Sequence, residues 1–369
     1  MASLFPKTLS RRSMLAAALT CALASGCLAG GANAQKAPGA PQAHVLLLAT
    51  GGTIAGSADP RAANAYNAGQ VSAEALIASV PGLDKLAVLS AEQISSIGSQ
   101  DMNDKVWFDL AKRIKVAIEK KEADGVVITH GTDTMEETAF FLDNVLNTDI
   151  PVVLVGSMRP STAIGADGPA NLYEATEVAA SPQSRGRGVL VVLNDTIQDA
   201  RSTQKTHTTS VETFQSPNAG PVGFVDTATV RYLTPAFVTK KGSLQLPSSA
   251  PLPRVDIIYA HANMDSAPIE DAVKRGAKGI VLAGVGDGNT SKEAVDALAE
   301  AAKHGVLVVR SARVGAGFVN RNVEVNDDSL GFVASFDLNP QKARILAQLL
   351  IANGVTDAQM VQKAFAATW

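Results

Sequence analysis

Short, almost wholly apolar runs alternate with helix-period segments along most of the chain. Residues 45–50, 126–129, 152–155 and 189–193 are dominated by Val, Ile and Leu, with few polar breaks. That pattern suits parallel strands covered on both faces, because a half-exposed strand would alternate polar and apolar residues. Between these runs, 106–123 and 135–146 carry apolar residues at helical spacing. Residues 255–260, 279–283 and 306–309 repeat the strand pattern later, with a helical segment at 291–303. The stretch 232–254, rich in Pro, Ser and Lys, separates the two blocks and reads as a linker. The expected class is α/β with two α/β domains. The larger, N-terminal one (43–231) has a mainly parallel sheet, and the smaller, C-terminal one (255–369) also has a parallel sheet. A length of 369 residues fits about two domains.

The first residues follow a different rule. Lys7, Arg11 and Arg12 precede an apolar run at 14–28, and Ala32-Asn33-Ala34 supplies small residues for cleavage. Residues 1–34 therefore read as a signal peptide, and a periplasmic location is expected. Ser10-Arg11-Arg12 also fits a twin-arginine signal, so that route and the general secretory route both stay open. Cys21 and Cys27 are the only cysteines, and both fall in this leader. A mature chain starting near Gln35 has no disulfide, no thiolate nucleophile and no Cys-ligated metal. Cleavage removes three positive charges and no acids, taking the net charge from −3 to −6. Nucleic acid is a poor partner for such a chain. No stretch in the body is apolar and long enough to span a bilayer, so no membrane association is expected after cleavage.

Chemistry concentrates in two loops that each follow an apolar run. One reads Thr50-Gly51-Gly52-Thr53-Ile54-Ala55-Gly56 and the other Thr129-His130-Gly131-Thr132-Asp133-Thr134. Loops at the carboxyl ends of strands line the ligand crevice of an open α/β sheet. Glycines let the backbone approach a ligand closely, and a threonine hydroxyl becomes a nucleophile when a base is near. Each residue also has a plainer reading. Thr53 could close its own turn, while Thr132 and Asp133 could serve only the start of a helix, since Thr134 and Glu137 have capping-box spacing. The five histidines, His44, His130, His207, His261 and His304, show no metal-ligand spacing, so no metal is expected. His130 lies beside Thr132 but reads as structural or supporting. Gly284-x-Gly286-x-Gly288 lacks the G-x-G-x-x-G spacing of a dinucleotide loop.

Further blocks join these two loops in one pattern. They are Gly98-Ser99-Gln100-Asp101-Met102-Asn103-Asp104, Val155-Gly156-Ser157-Met158-Arg159-Pro160, Ala166-Asp167-Gly168-Pro169, Asn194-Asp195-Thr196, Gly284-Val285-Gly286-Asp287-Gly288-Asn289 and Leu338-Asn339-Pro340-Gln341-Lys342-Ala343-Arg344. In these blocks, and in their order, the chain after the leader resembles the bacterial type II L-asparaginases, amidohydrolases that split asparagine into aspartate and ammonia. The resemblance implies a cofactor-free hydrolase in which Thr53 is the nucleophile and Tyr66 contacts it from a mobile loop. The small, polar stretch 56–70 suits a lid over the substrate. By the same resemblance Thr132, Asp133 and Lys205 form a second triad that relays a proton. Which threonine acts at each step stays open. Backbone N–H groups near Gly52–Thr53 and in the second loop would stabilise the oxyanion.

The resemblance also implies substrate-binding roles. Ser99, Gln100, Thr132, Asp133 and Ser157 would hold the amino acid, with Asp133 facing its α-ammonium. Asn289 and Glu324 would come from a neighbouring subunit, so a homo-oligomer, a tetramer with shared sites, is expected. Some relatives carry a disulfide that this chain lacks. L-Asparagine is the expected substrate and L-glutamine a weaker one, because relatives with strong glutaminase activity tend to have Glu where Gln100 stands. Asp287 replaces an Asn of some relatives and weakens that inference, so a glutaminase-asparaginase of mixed specificity remains an alternative. An exported amino-acid-binding protein would also use two α/β domains and a cleft, but it has no need of two hydroxyls and Lys205.

Overall fold

The apolar runs pair side by side, as their lack of alternation demands. The computed structural model describes residues 42–58, 66–236 and 244–366, so the expected signal peptide lies outside it. In chain order the first half contains β1 (Ala43–Gly51), β2 (Ser57–Ala58), β3 (Tyr66–Asn67), α1 (Ala73–Ser79), α2 (Leu83–Leu86), β4 (Ala87–Ile97) and α3 (Asp104–Glu119). It continues with β5 (Gly125–Thr129), α4 (Met135–Val145), β6 (Val152–Val155), α5 (Gly168–Ala180), β7 (Val189–Leu193) and β8 (Thr196–Asp199). It closes with β9 (Gln204–Lys205), β10 (Phe214–Gln215), β11 (Gly223–Asp226) and β12 (Thr229–Tyr232). The second half holds β13 (Val255–Tyr259), α6 (Ala267–Lys274), β14 (Gly279–Gly284), α7 (Lys292–Lys303), β15 (Leu307–Ala312), α8 (Asp327–Leu330), β16 (Phe332–Ala334), α9 (Pro340–Ala352) and α10 (Ala358–Ala366).

The large sheet runs β12-β11-β8-β7-β6-β5-β1-β4. Strands β4, β1, β5, β6 and β7 are mutually parallel, and β8, β11 and β12 complete one edge in antiparallel fashion. The chain turns back between β7 and β8 through Asn194 (φ 51°) and Asp195 (φ 61°), the left-handed pair of a type I′ hairpin turn. After β1 the chain crosses to β4 on one side and then to β5 on the other. That reversal opens a crevice at the carboxyl ends of β1 and β5, where doubly wound sheets bind ligands.

Side-chain alternation divides the core into two layers around this sheet. Leu46, Leu48, Val126, Ile128, Val152 and Leu154 face α3 and α4 and pack with Trp107, Leu110, Phe140 and Phe141. Val45, Leu47, Val127, Val153 and Val155 face the opposite way, onto Leu76, Leu172, Ala175 and Val178 of α1 and α5. Each fully buried Val, Leu or Ile contributes about 1.5–3 kcal/mol of transfer free energy.

The smaller sheet, β13-β14-β15-β16, is wholly parallel. One face is covered by α6 and α7 through Ile269, Ala272, Ala294 and Leu298. Its other face, with Val281, Val309 and Val333, joins the α3–α4 core through Ile345, Leu346 and Leu349 of α9. Helix α9 therefore lies against both α4 and the second sheet. The stretch 232–254 begins at the last residue of β12 and includes 237–243, which lie outside the described residues. Its described end is anchored, with Leu244 N donating to Asn144 O (2.8 Å) and Leu252 N to an Asp104 carboxylate (2.8 Å).

Candidate active site

Three loops meet at the switch point, one each from β1, β4 and β5. Gly51 (φ 108°) and Gly52 (φ 79°) turn the chain out of β1 in a region that side-chain-bearing residues avoid. A Cβ on Gly52 would lie 2.3 Å from Gly131 N, so only a bare backbone lets the first and second loops touch. Thr53 opens a single 3-10 turn (Thr53–Ala55) and is 8% exposed. Gly52 N donates to Ile97 O (2.8 Å), which ties this turn to the end of β4.

Ser99 fastens the β4 loop to the β5 loop. Its hydroxyl accepts from Asp133 N (3.1 Å), and its carbonyl accepts from the Thr134 hydroxyl (2.7 Å). Thr134 does precede α4, as the capping-box spacing suggested, but its hydroxyl goes to Ser99 and makes no cap. Two amides of these loops are thereby engaged, Gly52 N with Ile97 O and Asp133 N with the Ser99 hydroxyl. Gln100 is exposed, and its amide folds back over Gly98, within 3 Å of where a Cβ there would stand.

Lys205 reaches the second loop across 72 and 73 residues of sequence. Its Nζ donates to Thr132 Oγ1 at 2.9 Å and to Asp133 Oδ1 at 2.6 Å. Thr132 is 5% exposed, whereas the Asp133 side chain is 59% exposed. A buried hydroxyl thus sits on one side of the ammonium and a solvent-facing carboxylate on the other. That carboxylate is open to a further cation.

His130 supports this loop from behind and does not reach the Thr132 hydroxyl. Trp107 Nε1 donates to Thr138 Oγ1 (2.8 Å), whose hydroxyl donates to His130 Nε2 (2.8 Å). His130 Nδ1 lies 2.6 Å from Gly131 O, which can only accept, so the network assigns the proton to Nδ1. Burial lowers the imidazole pKa to about 4, against a smaller opposing effect of the Gly131 carbonyl. Since the folded value lies below the unfolded one, the neutral ring's stabilisation is complete above about pH 6.5 and is lost as pH falls toward 4. Glu174 has the opposite sign: burial raises its carboxyl to about 8, costing stability as pH rises. We therefore expect His130→Asn to be less stable at pH 7 but to lose less between pH 6.5 and 4. The wild-type urea-unfolding free energy should fall more steeply there, by up to about 1.4 kcal/mol per pH unit. Equal slopes would show that another group takes up the proton.

The remaining expected residues are distributed as follows. Ser157 is buried after β6, and its hydroxyl donates to Arg159 O (2.9 Å). Tyr66 starts β3, whose backbone pairs Tyr66 with Ala58, but its side chain and residues 59–65 lie outside the described set. Asn289 and Glu324 belong to loops of the second half, and among the described residues neither is hydrogen-bonded to Thr132, Asp133 or Lys205. Glu324 is exposed. Asp287 is engaged locally, its carboxylate accepting from Asn320 N (2.7 Å) and Nδ2 (3.1 Å). Among the described residues no group of three or more His, Cys, Asp or Glu could hold a metal, and no helix is long and apolar enough to cross a membrane.

Comparison with known proteins meets this geometry. Residues 44–237 match the model of the asparaginase N-terminal domain, and residues 254–365 match that of the glutaminase/asparaginase C-terminal domain. The chain belongs to the asparaginase family. It is 49% identical to L-asparaginase 2 of Escherichia coli strain K12, over 87% of this chain and 92% of the relative. It is 48% identical to a probable periplasmic L-asparaginase of Haemophilus influenzae, over 90% of this chain and 94% of the relative. A glutaminase-asparaginase of Pseudomonas fluorescens biotype A is 43% identical, over 88% and 90%. Sequence reasoning missed one set of residues next to the site of this asparaginase-family chain. Glu136 is 4% exposed, and its Oε2 accepts from Lys205 N (2.8 Å). Lys342 is 1% exposed, with burial lowering its pKa to about 8.

Proposed function

We propose that this chain hydrolyses L-asparagine to L-aspartate and ammonia, with L-glutamine a weaker substrate. The observation that supports this reading is the Lys205 ammonium set between the buried Thr132 hydroxyl and the Asp133 carboxylate, in the loop that touches the Thr53 turn. Thr53 Oγ attacks the side-chain amide carbon and passes its proton into the hydroxyl network. The C–N bond breaks as the leaving nitrogen takes up a proton and departs as ammonia. An ammonium hydrogen-bonded to Thr132 Oγ1 favours negative charge on that oxygen, which suits Thr132 to relay the proton. Water then cleaves the ester and returns the proton to Thr53. Asp133, open on its outer side, pairs with the substrate α-ammonium; Ser99, bonded to the Asp133 amide, and Gln100, the next residue in the chain, serve the same end of the substrate.

Ammonia release from asparagine, with glutamine in a parallel reaction, tests this directly. An amino-acid-binding protein would bind both and release nothing. In this reading Asn289 and Glu324 complete the site of a second copy in a homotetramer. A fully active monomer in sedimentation would remove them from it. Export to the periplasm is part of the proposal, supported by the pattern of residues 1–34 and by the periplasmic relative. Recovery of the activity only from the cytoplasm would refute it.

Specificity gives a smaller prediction. Gln100→Glu should raise kcat/KM for glutamine relative to asparagine, because a carboxylate beside the α-ammonium holds the backbone end more firmly. Discriminating one methylene is worth only about 1–3 kcal/mol, so a modest gain can shift the ratio several-fold. An unchanged ratio in a folded, active variant would move specificity to the 56–70 stretch or to Asp287 and Asn289.

A further inference from the structure

Lys205 stands on β9, a strand of two residues paired, among the described residues, only with Phe214 and Gln215, and so short a ribbon does not fix its own position. Its backbone is held from elsewhere. Glu136, the second residue of α4, accepts Lys205 N on Oε2 at 2.8 Å. Its other oxygen accepts from Asn339 Nδ2 (3.3 Å) and from Gln341 Nε2, both at the start of α9. Asn339 also caps α9 by accepting Lys342 N on Oδ1 (3.1 Å). One turn in, the buried Lys342 Nζ donates to Arg201 O (2.7 Å) and Thr203 O. Three backbone atoms in 201–205 are therefore tied to two buried charged side chains.

An apolar contact between α4 and α9 would hold the halves together without the cost of desolvating those charges. A buried polar network with its bonds made rigidifies what it holds, and what Glu136 and Lys342 hold is the chain carrying Lys205. The reaction described above gives neither Glu136, Gln341 nor Lys342 a task.

We infer that Glu136, braced by Asn339 and Gln341 of the second half, is a positioning residue that sets the Lys205 main chain so that its ammonium bridges Thr132 and Asp133. Lys342 steadies the preceding residues through the Arg201 and Thr203 carbonyls. The inference rests on the role given to Lys205 above. It also assigns a catalytic use to the junction of α4 and α9, because movement of α9 is transmitted to the triad through one carboxylate.

The test compares Glu136→Leu, Glu136→Gln and Lys205→Met, alone and combined, with asparagine as substrate and turnover expressed per folded subunit. Glu136→Leu should lower kcat about 10- to 100-fold, as expected for a small misplacement of a catalytic group, with KM changed less than about threefold. Glu136→Gln should keep most activity, since its amide oxygen can accept Lys205 N–H while the Gln341 amide turns to match, with loss of only the long 3.3 Å bond from Asn339 Nδ2. Adding Glu136→Leu to Lys205→Met should cost no more than about twofold, because the residue acts only through Lys205. A wild-type kcat in Glu136→Leu, or the same loss with and without Lys205, would overturn the inference. Should Glu136→Leu not fold, Gln341→Met carries the test, with about 3- to 10-fold expected in kcat and none in the Lys205→Met background. Wild-type turnover by Lys205→Met alone would instead refute the reading of the triad.

Discussion

Thr53→Ala is expected to lower asparagine turnover by at least about a thousandfold while leaving the fold in place. Removing a nucleophile eliminates the covalent path, and what remains is binding and electrostatic stabilisation. The structural cost is small by comparison. Thr53 occupies a short 3-10 turn whose course is set by Gly51, Gly52 and the Gly52–Ile97 hydrogen bond, none of which the substitution touches. The variant loses one hydroxyl and one methyl, which for a turn residue of this kind costs about 1 kcal/mol. Thr53→Ser is the control, because it keeps the hydroxyl and should retain a substantial part of kcat. If Thr53→Ala, folded by circular dichroism and urea midpoint, still released ammonia at a near wild-type rate, Thr53 would not be the nucleophile. Thr132, 5% exposed beside Lys205, would then take its place.

Legibility in the sequence followed burial. Strands β1, β5, β6 and β7 are covered on both faces, so each appears as an unbroken apolar run. Strand β4 is the longest of all and carries the Ser99–Gln100 loop, yet its Glu92, Gln93, Ser95 and Ser96 hide it. It lies at the sheet edge with only one parallel neighbour, and of its eleven residues only Ala87 is fully buried. The antiparallel edge strands are short and mixed for the same reason. Helix α3 starts at Asp104, two residues before the first apolar position, because Asn103 caps it by accepting Val106 N.

Within the site, local patterns reached the two glycine–threonine loops and no further. Lys205 carries no local signal. Its partners are 72 and 73 residues away, and only the family resemblance connected them before the structure did. Glu136 reads in sequence as an acid favoured by the start of a helix, and Lys342 as an ordinary surface lysine. One clue to Lys342 was present. Ala343, Ile345, Leu346, Ala347, Leu349 and Leu350 make α9 apolar nearly all round, and such a helix is buried on every side. A lysine in it must then find internal acceptors.

Lys205→Met is the second substitution expected to have a large effect, and it separates catalysis from stability. The ion pair with Asp133 is short, but the carboxylate is 59% exposed, so its contribution to folding is about 0–1 kcal/mol after solvent screening. Methionine also preserves most of the packing of the lysine stem. Chemically the change is severe, since Thr132 loses the cation bonded to its oxygen and with it the proton relay. General acid–base groups contribute about 10²- to 10⁴-fold, and a loss in kcat of that size is expected. Lys205→Arg should not restore the wild-type rate, because a planar guanidinium cannot place one donor 2.9 Å from Thr132 Oγ1 and another 2.6 Å from Asp133 Oδ1 as a compact ammonium does. The measurement is kcat for asparagine beside the urea midpoint of each variant. A rate that falls only in proportion to lost stability would make Lys205 a structural lysine, whereas an unchanged midpoint with a collapsed rate leaves the proton relay as its task.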